Sequence, residues 1–161
     1  MRIIISPAKK MREDTDSLVW RNWPAHLEQT QQLCQVLQGM SYDQLKKLWK
    51  CNDQIAQLNV ERLKTMDLYR NLTPAILSYE GIQYRYMAPG VFTQEELEYV
   101  EEHLRILSGF YGLVRPFAGV PPYRLEMQAK RPVGQAKDLY ALQGDQLARD
   151  LGGENACNST L

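Results

Sequence analysis

A mixed α/β (α+β) fold in a single domain is what this chain predicts, and three observations predict it. The N-terminal run "RIIIS" places three β-branched isoleucines together, the composition of a short buried strand. The stretches "SYDQ" at 41–44 and "TQEE" at 93–96 put Ser or Thr three residues ahead of Gln or Glu, before apolar residues at helical spacing, which is the capping-box signature of a helix start. The 161 residues are 44% hydrophobic and 24% charged, enough for one folded core and too apolar for a disordered chain.

Taken in order, the strand at 3–5 ends where Pro7 forbids further pairing. "SPAKK" at 6–10 is then a loop at the strand's C-terminal end, where open α/β sheets keep their ligand sites. After an acidic irregular segment, "HLEQTQQLCQVLQG" at 26–39 reads as a helix with apolar Leu27, Leu33, Cys34 and Leu37 and with Gly39 as its stop. A helix–turn–helix-like pair follows over 41–66: Ser41 and Gln44 open the first helix, Asn52 or Asp53 caps the second, and Ile55, Leu58 and Leu63 face inward. "AILSYEGIQYRYM" at 75–87 reads as one or two strands turning at Gly81, although Thr73-Pro74 can also start a short helix.

The clearest helix runs from Thr93 to Gly109, with Leu97, Val100, Leu104 and Leu107 on one face, acids in its first turn, Arg105 near its end and Gly109 as a left-handed C′ residue. "PPYRLEM" at 121–127 reads as a strand with Arg124 and Glu126 on one face and Tyr123, Leu125 and Met127 on the other. An amphipathic helix over 136–151 and an irregular end at 152–161 complete the expected order. No repeat, low-complexity tract or linker divides the chain.

The N-terminus has only three strong apolar residues before Ser6 and Pro7, far short of a signal or membrane segment. Three scattered cysteines and two histidines make neither a disulfide framework nor a zinc site. A cytoplasmic protein with no membrane partner, no cofactor and no metal site is expected, its cysteines serving as small core residues. Net charge is zero, but it is unevenly spread: residues 1–12 carry +4, 13–104 carry −6, 105–137 carry +5 and 138–161 carry −3. If the fold brings the two basic blocks together they form a basic face; otherwise they are separate solvated surfaces.

Three stretches can carry chemistry. In "HLRILSGFYGLVRPF" at 103–117, backbone amides at the Gly109-to-Gly112 turn, flanked by Arg105 and Arg115, can bind a phosphate oxygen without reading base identity. The plain alternative is a helix cap followed by a packed aromatic turn. At "SPAKK", the hydroxyl of Ser6 and the ammonium groups of Lys9 and Lys10 suit an anion. Arg124 and Glu126 are either a substrate-orienting pair or a structural ion pair on one strand face. His103, near the expected helix end, fits a dipole-stabilising role. No hydrolase, zincin, Walker or Rossmann motif is present.

"IISPAK" at 4–9, "HLRILSGFYGLVRPF" at 103–117, "PYRLEM" at 122–127 and "KDLY" at 137–140 closely resemble the YaaA family, also called DUF328, UPF0246 or the peroxide stress protein family. The resemblance implies a cytoplasmic bacterial protein of the hydrogen peroxide (oxidative) stress response, linked to lowering intracellular iron. It also implies a helix-hairpin-helix element and a basic cleft that binds double-stranded DNA without sequence preference. On that reading Lys9, Lys10, Arg105, Gly109, Gly112, Arg115 and Arg124 are phosphate-binding. The alternative is an enzyme acting on a nucleobase or related small molecule in the same cleft, with Lys9, Arg124 and Glu126 as its candidate catalytic anchors. Direct iron binding is not expected of two distant histidines.

The chain departs from the family at Ile82 and Tyr86, where Asp and part of a Gly-Leu pair are usual, and at Ala141 and Leu142, which replace an aromatic pair. Family members also continue past residue 161 with further strand and basic segments, so a single YaaA-like domain over 1–161, lacking the family's C-terminal part, is expected.

Overall fold

The computed structural model describes residues 2–125. Its elements are strands β1 (Ile3–Ile5) and β2 (Lys10–Met11), helices α1 (Leu27–Gln38), α2 (Tyr42–Trp49) and α3 (Asp53–Lys64), strand β3 (Thr73–Pro74), helix α4 (Ala75–Ser78), strand β4 (Tyr79–Glu80), helices α5 (Ile82–Met87) and α6 (Gln94–His103), and strands β5 (Leu104–Ser108), β6 (Gly112–Val114) and β7 (Gly119–Val120). The fold is mixed α/β, as the sequence predicts.

The central sheet has the order β1-β5-β6. β1 runs parallel to β5 with Ile4 opposite Arg105, and β6 returns antiparallel with Ser108 opposite Gly112. Two short antiparallel pairs flank it: β2 with β4, Lys10 opposite Glu80, and β3 with β7. Both expected capping boxes form, Ser41 with Gln44 on α2 and Thr93 with Glu96 on α6, and the Asn52 side chain caps α3 by accepting from the Ile55 amide. Helix α1 buries Leu33, Cys34 and Leu37 in the same core cluster as Ile106, Phe110 and Phe117.

Six expectations need correction. The helix beginning at Thr93 stops at His103, and Leu104–Ser108 form a strand. Leu104 and Leu107 fit a helical period, but Leu104, Ile106 and Ser108 equally fit a period of two, and parallel pairing with β1 decides the matter. Gly109 therefore sits in a turn between two strands, and Gly112, with φ at 80°, is the glycine in the left-handed region. "AILSYEGIQYRYM" folds as α4, β4 and α5 rather than as a hairpin. Pro74 opens the first helical turn, and the Arg85 amide bonds the Gly81 carbonyl to start the second.

In β1, Ile5 is buried but Ile3 and Ile4 are 39% and 46% exposed. On α3 the inward residues are Ala56, Asn59 and Leu63, while Leu58 faces solvent; the short Ala56 side chain lets α3 lie close to its neighbours α1 and α2. Residues 121–125 form no strand, though the expected alternation persists, with Tyr123 and Leu125 buried and Arg124 half-buried. Glu126, the 136–151 helix and the 152–161 end lie outside the described residues.

Candidate phosphate-binding surface

Beyond β1 the chain turns through Ser6, Pro7 and Ala8 and then pairs as β2 with β4. Two contacts seat this loop. Tyr84 Oη donates to the Ser6 carbonyl at 2.7 Å, and Gly81 lies so close beneath Ala8 that an added Cβ would stand 3.0 Å from the Ala8 Cβ. The strand pairing continues past β2, with the Arg12 amide donating to Ser78 O at 2.8 Å and Ser78 Oγ donating to Arg12 O at 2.9 Å.

The result is an open groove of about 440 Å³ between the loop's outgoing strand and α5. Among the described residues, Lys10, Arg12 and Arg85 line it together with the carboxylate of Glu80, and Tyr79, Gly81, Ile82 and Tyr84 complete its wall. Lys10 Nζ is 3.3 Å from Glu80. Arg12 Nε donates to Leu77 O at 3.0 Å, and its Nη2 lies 3.9 Å from Asp14. Arg85 is exposed, and among the described residues its guanidinium has no hydrogen-bond or ion-pair partner. Lys9 and Lys10 are likewise exposed, so this basic strip faces solvent.

Beneath the loop lies a buried hydroxyl chain. Tyr79 Oη meets Tyr123 Oη, which meets Ser108 Oγ. Ser108 Oγ in turn accepts from the amides of Phe110 and Tyr111, both at 3.1 Å. Burial pushes the phenols of Tyr79, Tyr84 and Tyr111 up from the ordinary value. It pushes Tyr123 up to about 12 even though bonds from Ser108 and Tyr79 pull the other way. All four stay protonated at neutral pH and act as hydroxyls, not phenolates. Burial likewise raises the Cys34 thiol, which keeps it an unreactive core residue.

The fold treats the sequence's candidate residues unequally. Lys9 stands exposed at the end of the loop and Lys10, also exposed, opens β2. The amides of the Gly109-to-Gly112 turn do not open outward, because Ser108 Oγ holds those of Phe110 and Tyr111 in the interior. Arg105 is 2% exposed and donates to the carbonyls of Glu101 and Leu104 at the end of α6. Arg115 is exposed and lies 3.9 Å from Glu101; that carboxylate also accepts from Asn22 at 2.8 Å and from the Phe117 amide at 3.3 Å, so it organises the 115–118 loop. Arg124 reaches Trp49 O at 3.4 Å.

The sequence alone gives no site role to Arg12, Arg85 or the tyrosines. The alternation of basic and aromatic residues in "YRYM" was the available signal for Arg85. Among the described residues no group of three or more His, Cys, Asp and Glu side chains could hold a metal ion, and no helix is long and apolar enough to cross a membrane.

These features define a class: a mixed α/β protein that carries a basic loop at the end of its first strand, above a buried tyrosine–serine chain. More particularly, the chain belongs to the peroxide stress protein YaaA family, whose model matches residues 1–161. It is 60% identical over 151 residues to a UPF0246 protein of Lactiplantibacillus plantarum, covering 94% of this chain and 61% of that one. A UPF0246 protein of Agathobacter rectalis is 53% identical with the same coverage, and one of Pediococcus pentosaceus is 52% identical over 96% of this chain and 62% of its own. The chain thus spans about three fifths of the length of the curated relatives it matches.

Proposed function

We propose that this chain serves the peroxide stress response in the cytoplasm by holding double-stranded DNA through its phosphate backbone. The observation that carries this reading is the solvent-facing basic loop: Lys9 and Lys10 follow β1 on a turn fixed by Tyr84 and Gly81, with Arg12 continuing the same strip. Contacts of that kind attract any duplex and read no sequence. Helix pair α2–α3, joined by a short turn capped by Asn52, is the element that stands for a helix-hairpin-helix in this reading. Within it, any lowering of intracellular iron is indirect.

The test is fluorescence anisotropy of a labelled duplex across a salt series. Each phosphate contact contributes about 0.9 to the slope of log affinity against log salt. Lys9→Ala is expected to weaken binding to every duplex equally and to lower that slope by about one. Binding that ignores salt, or a Lys9→Ala variant that binds as the parent does, would rule the reading out.

A further inference from the structure

The groove beside the loop has features that a backbone grip does not need. It is concave rather than ridge-like, and its volume of about 440 Å³ matches a small-molecule site. It carries both signs of charge, and a Glu80 carboxylate in its wall repels a run of backbone phosphates. Its cations are also unequally committed: Lys10 is offset by Glu80 and Arg12 is tied to Leu77 O, whereas the Arg85 guanidinium makes no bond to any of the described residues. A planar guanidinium left exposed at the edge of a concave site presents its fork of donors to an oxyanion.

We infer that this groove binds a free phosphate monoester of nucleotide size, with Arg85 and Arg12 on the phosphate and Glu80 accepting from a donor group elsewhere on the ligand. The aromatic and apolar wall of Tyr84 and Ile82 receives the uncharged body of such a molecule. Tyr84 also holds the Ser6 carbonyl, so the same side chain that lines the groove keeps the loop in place. The groove shares Lys10 and Arg12 with the basic strip and differs from it by Arg85 and by its ligand: Lys9 on the ridge serves the duplex, and Arg85 serves the small molecule. Of the small-molecule anchors read from the sequence, Lys9 and Arg124 do not line the groove, and Glu126 lies outside the described residues.

The experiment is calorimetric titration of the 161-residue chain with adenosine monophosphate, with inorganic phosphate, and separately with duplex DNA. Parent, Arg85→Ala and Lys47→Ala proteins are compared. Arg85 makes no side-chain bond among the described residues, so its variant is expected to keep the parent's melting temperature; Lys47, exposed on α2, is the charge control. The result expected is saturable binding of the monophosphate, weaker binding of inorganic phosphate, a loss of about tenfold or more in Arg85→Ala and no change in Lys47→Ala. Duplex affinity is unchanged by Arg85→Ala. If the folded parent fails to bind the monophosphate, or binds it equally well without Arg85, the inference is overturned. If Arg85→Ala weakens the duplex alone, the groove belongs to the DNA surface and the inference is again overturned. Monophosphate binding without any duplex binding sustains it and overturns the DNA reading instead.

Discussion

Two regions of this molecule look alike in sequence and end as opposites in space. "SPAKK" and "SGFYG" both join a turn to small residues, the first carrying Lys9 and Lys10 and the second flanked by Arg105 and Arg115, and both suit a phosphate on paper. In the fold the first is an exposed loop whose lysines face water. The second is a buried hairpin turn, with Phe110 and Tyr111 at 1% and 2% exposure and its amides closed on Ser108 Oγ. What separates them is not residue type but the neighbour that arrives from elsewhere. Tyr84 and Gly81 support the loop from below and leave its upper side open. Tyr123 and helix α1 cover the hairpin completely, Thr30 of α1 being near enough to bond the Phe110 carbonyl.

The comparison can be broken most severely at Phe110. Phe110→Ala empties a site among Tyr111, Tyr123 and the α1 face, and is expected to cost about 4 kcal/mol in urea unfolding. A loss below about 1 kcal/mol would mean the turn is not core. Next comes Ser108→Ala, which leaves two buried amides without their acceptor and is expected to cost about 2 kcal/mol.

Alkali sharpens the same contrast. Tyr123 is raised in the folded state to about 12 from an ordinary value of 10.0. The unfolded chain therefore loses that proton first, and stability is whole below pH 10 and falls as pH rises through about 12. The check is urea unfolding at stepped alkaline pH, where a flat profile would contradict a buried hydroxyl chain. Smaller still is the loop: Lys9→Ala and Lys10→Ala are expected to change stability by less than about 0.5 kcal/mol, because these side chains are exposed and the Lys10 pair is largely screened.

The parts of the fold written locally were legible. Ser41 with Gln44, Thr93 with Glu96 and the α1 stripe are each decided within one or two turns of chain, and each forms as expected. Residues 104–108 were not legible in the same way, since their apolar spacing fits helix and strand alike and the choice is made by β1, a hundred residues earlier in the chain. Ile82 and Tyr86 misled for a related reason: β-branched and aromatic residues suggest strand, yet here they are exposed at positions four apart on a short helix. For the site, the basic loop could be read because Lys9 and Lys10 adjoin in sequence. Arg85 could not be placed beside it, because only the pairing of β2 with β4 brings the two together.

The central claim is that the exposed loop, and not the glycine turn, meets phosphate. The most direct test is the salt slope of duplex binding for the parent, for Lys9→Ala and for Arg105→Lys, which keeps the charge of the turn's flanking residue but alters its donor geometry. The account predicts a slope lowered by about one in Lys9→Ala and unchanged in Arg105→Lys, since the buried Arg105 donates to the Glu101 and Leu104 carbonyls inside the protein. A slope that falls for Arg105→Lys in protein that remains folded, while Lys9→Ala behaves as the parent, would contradict it.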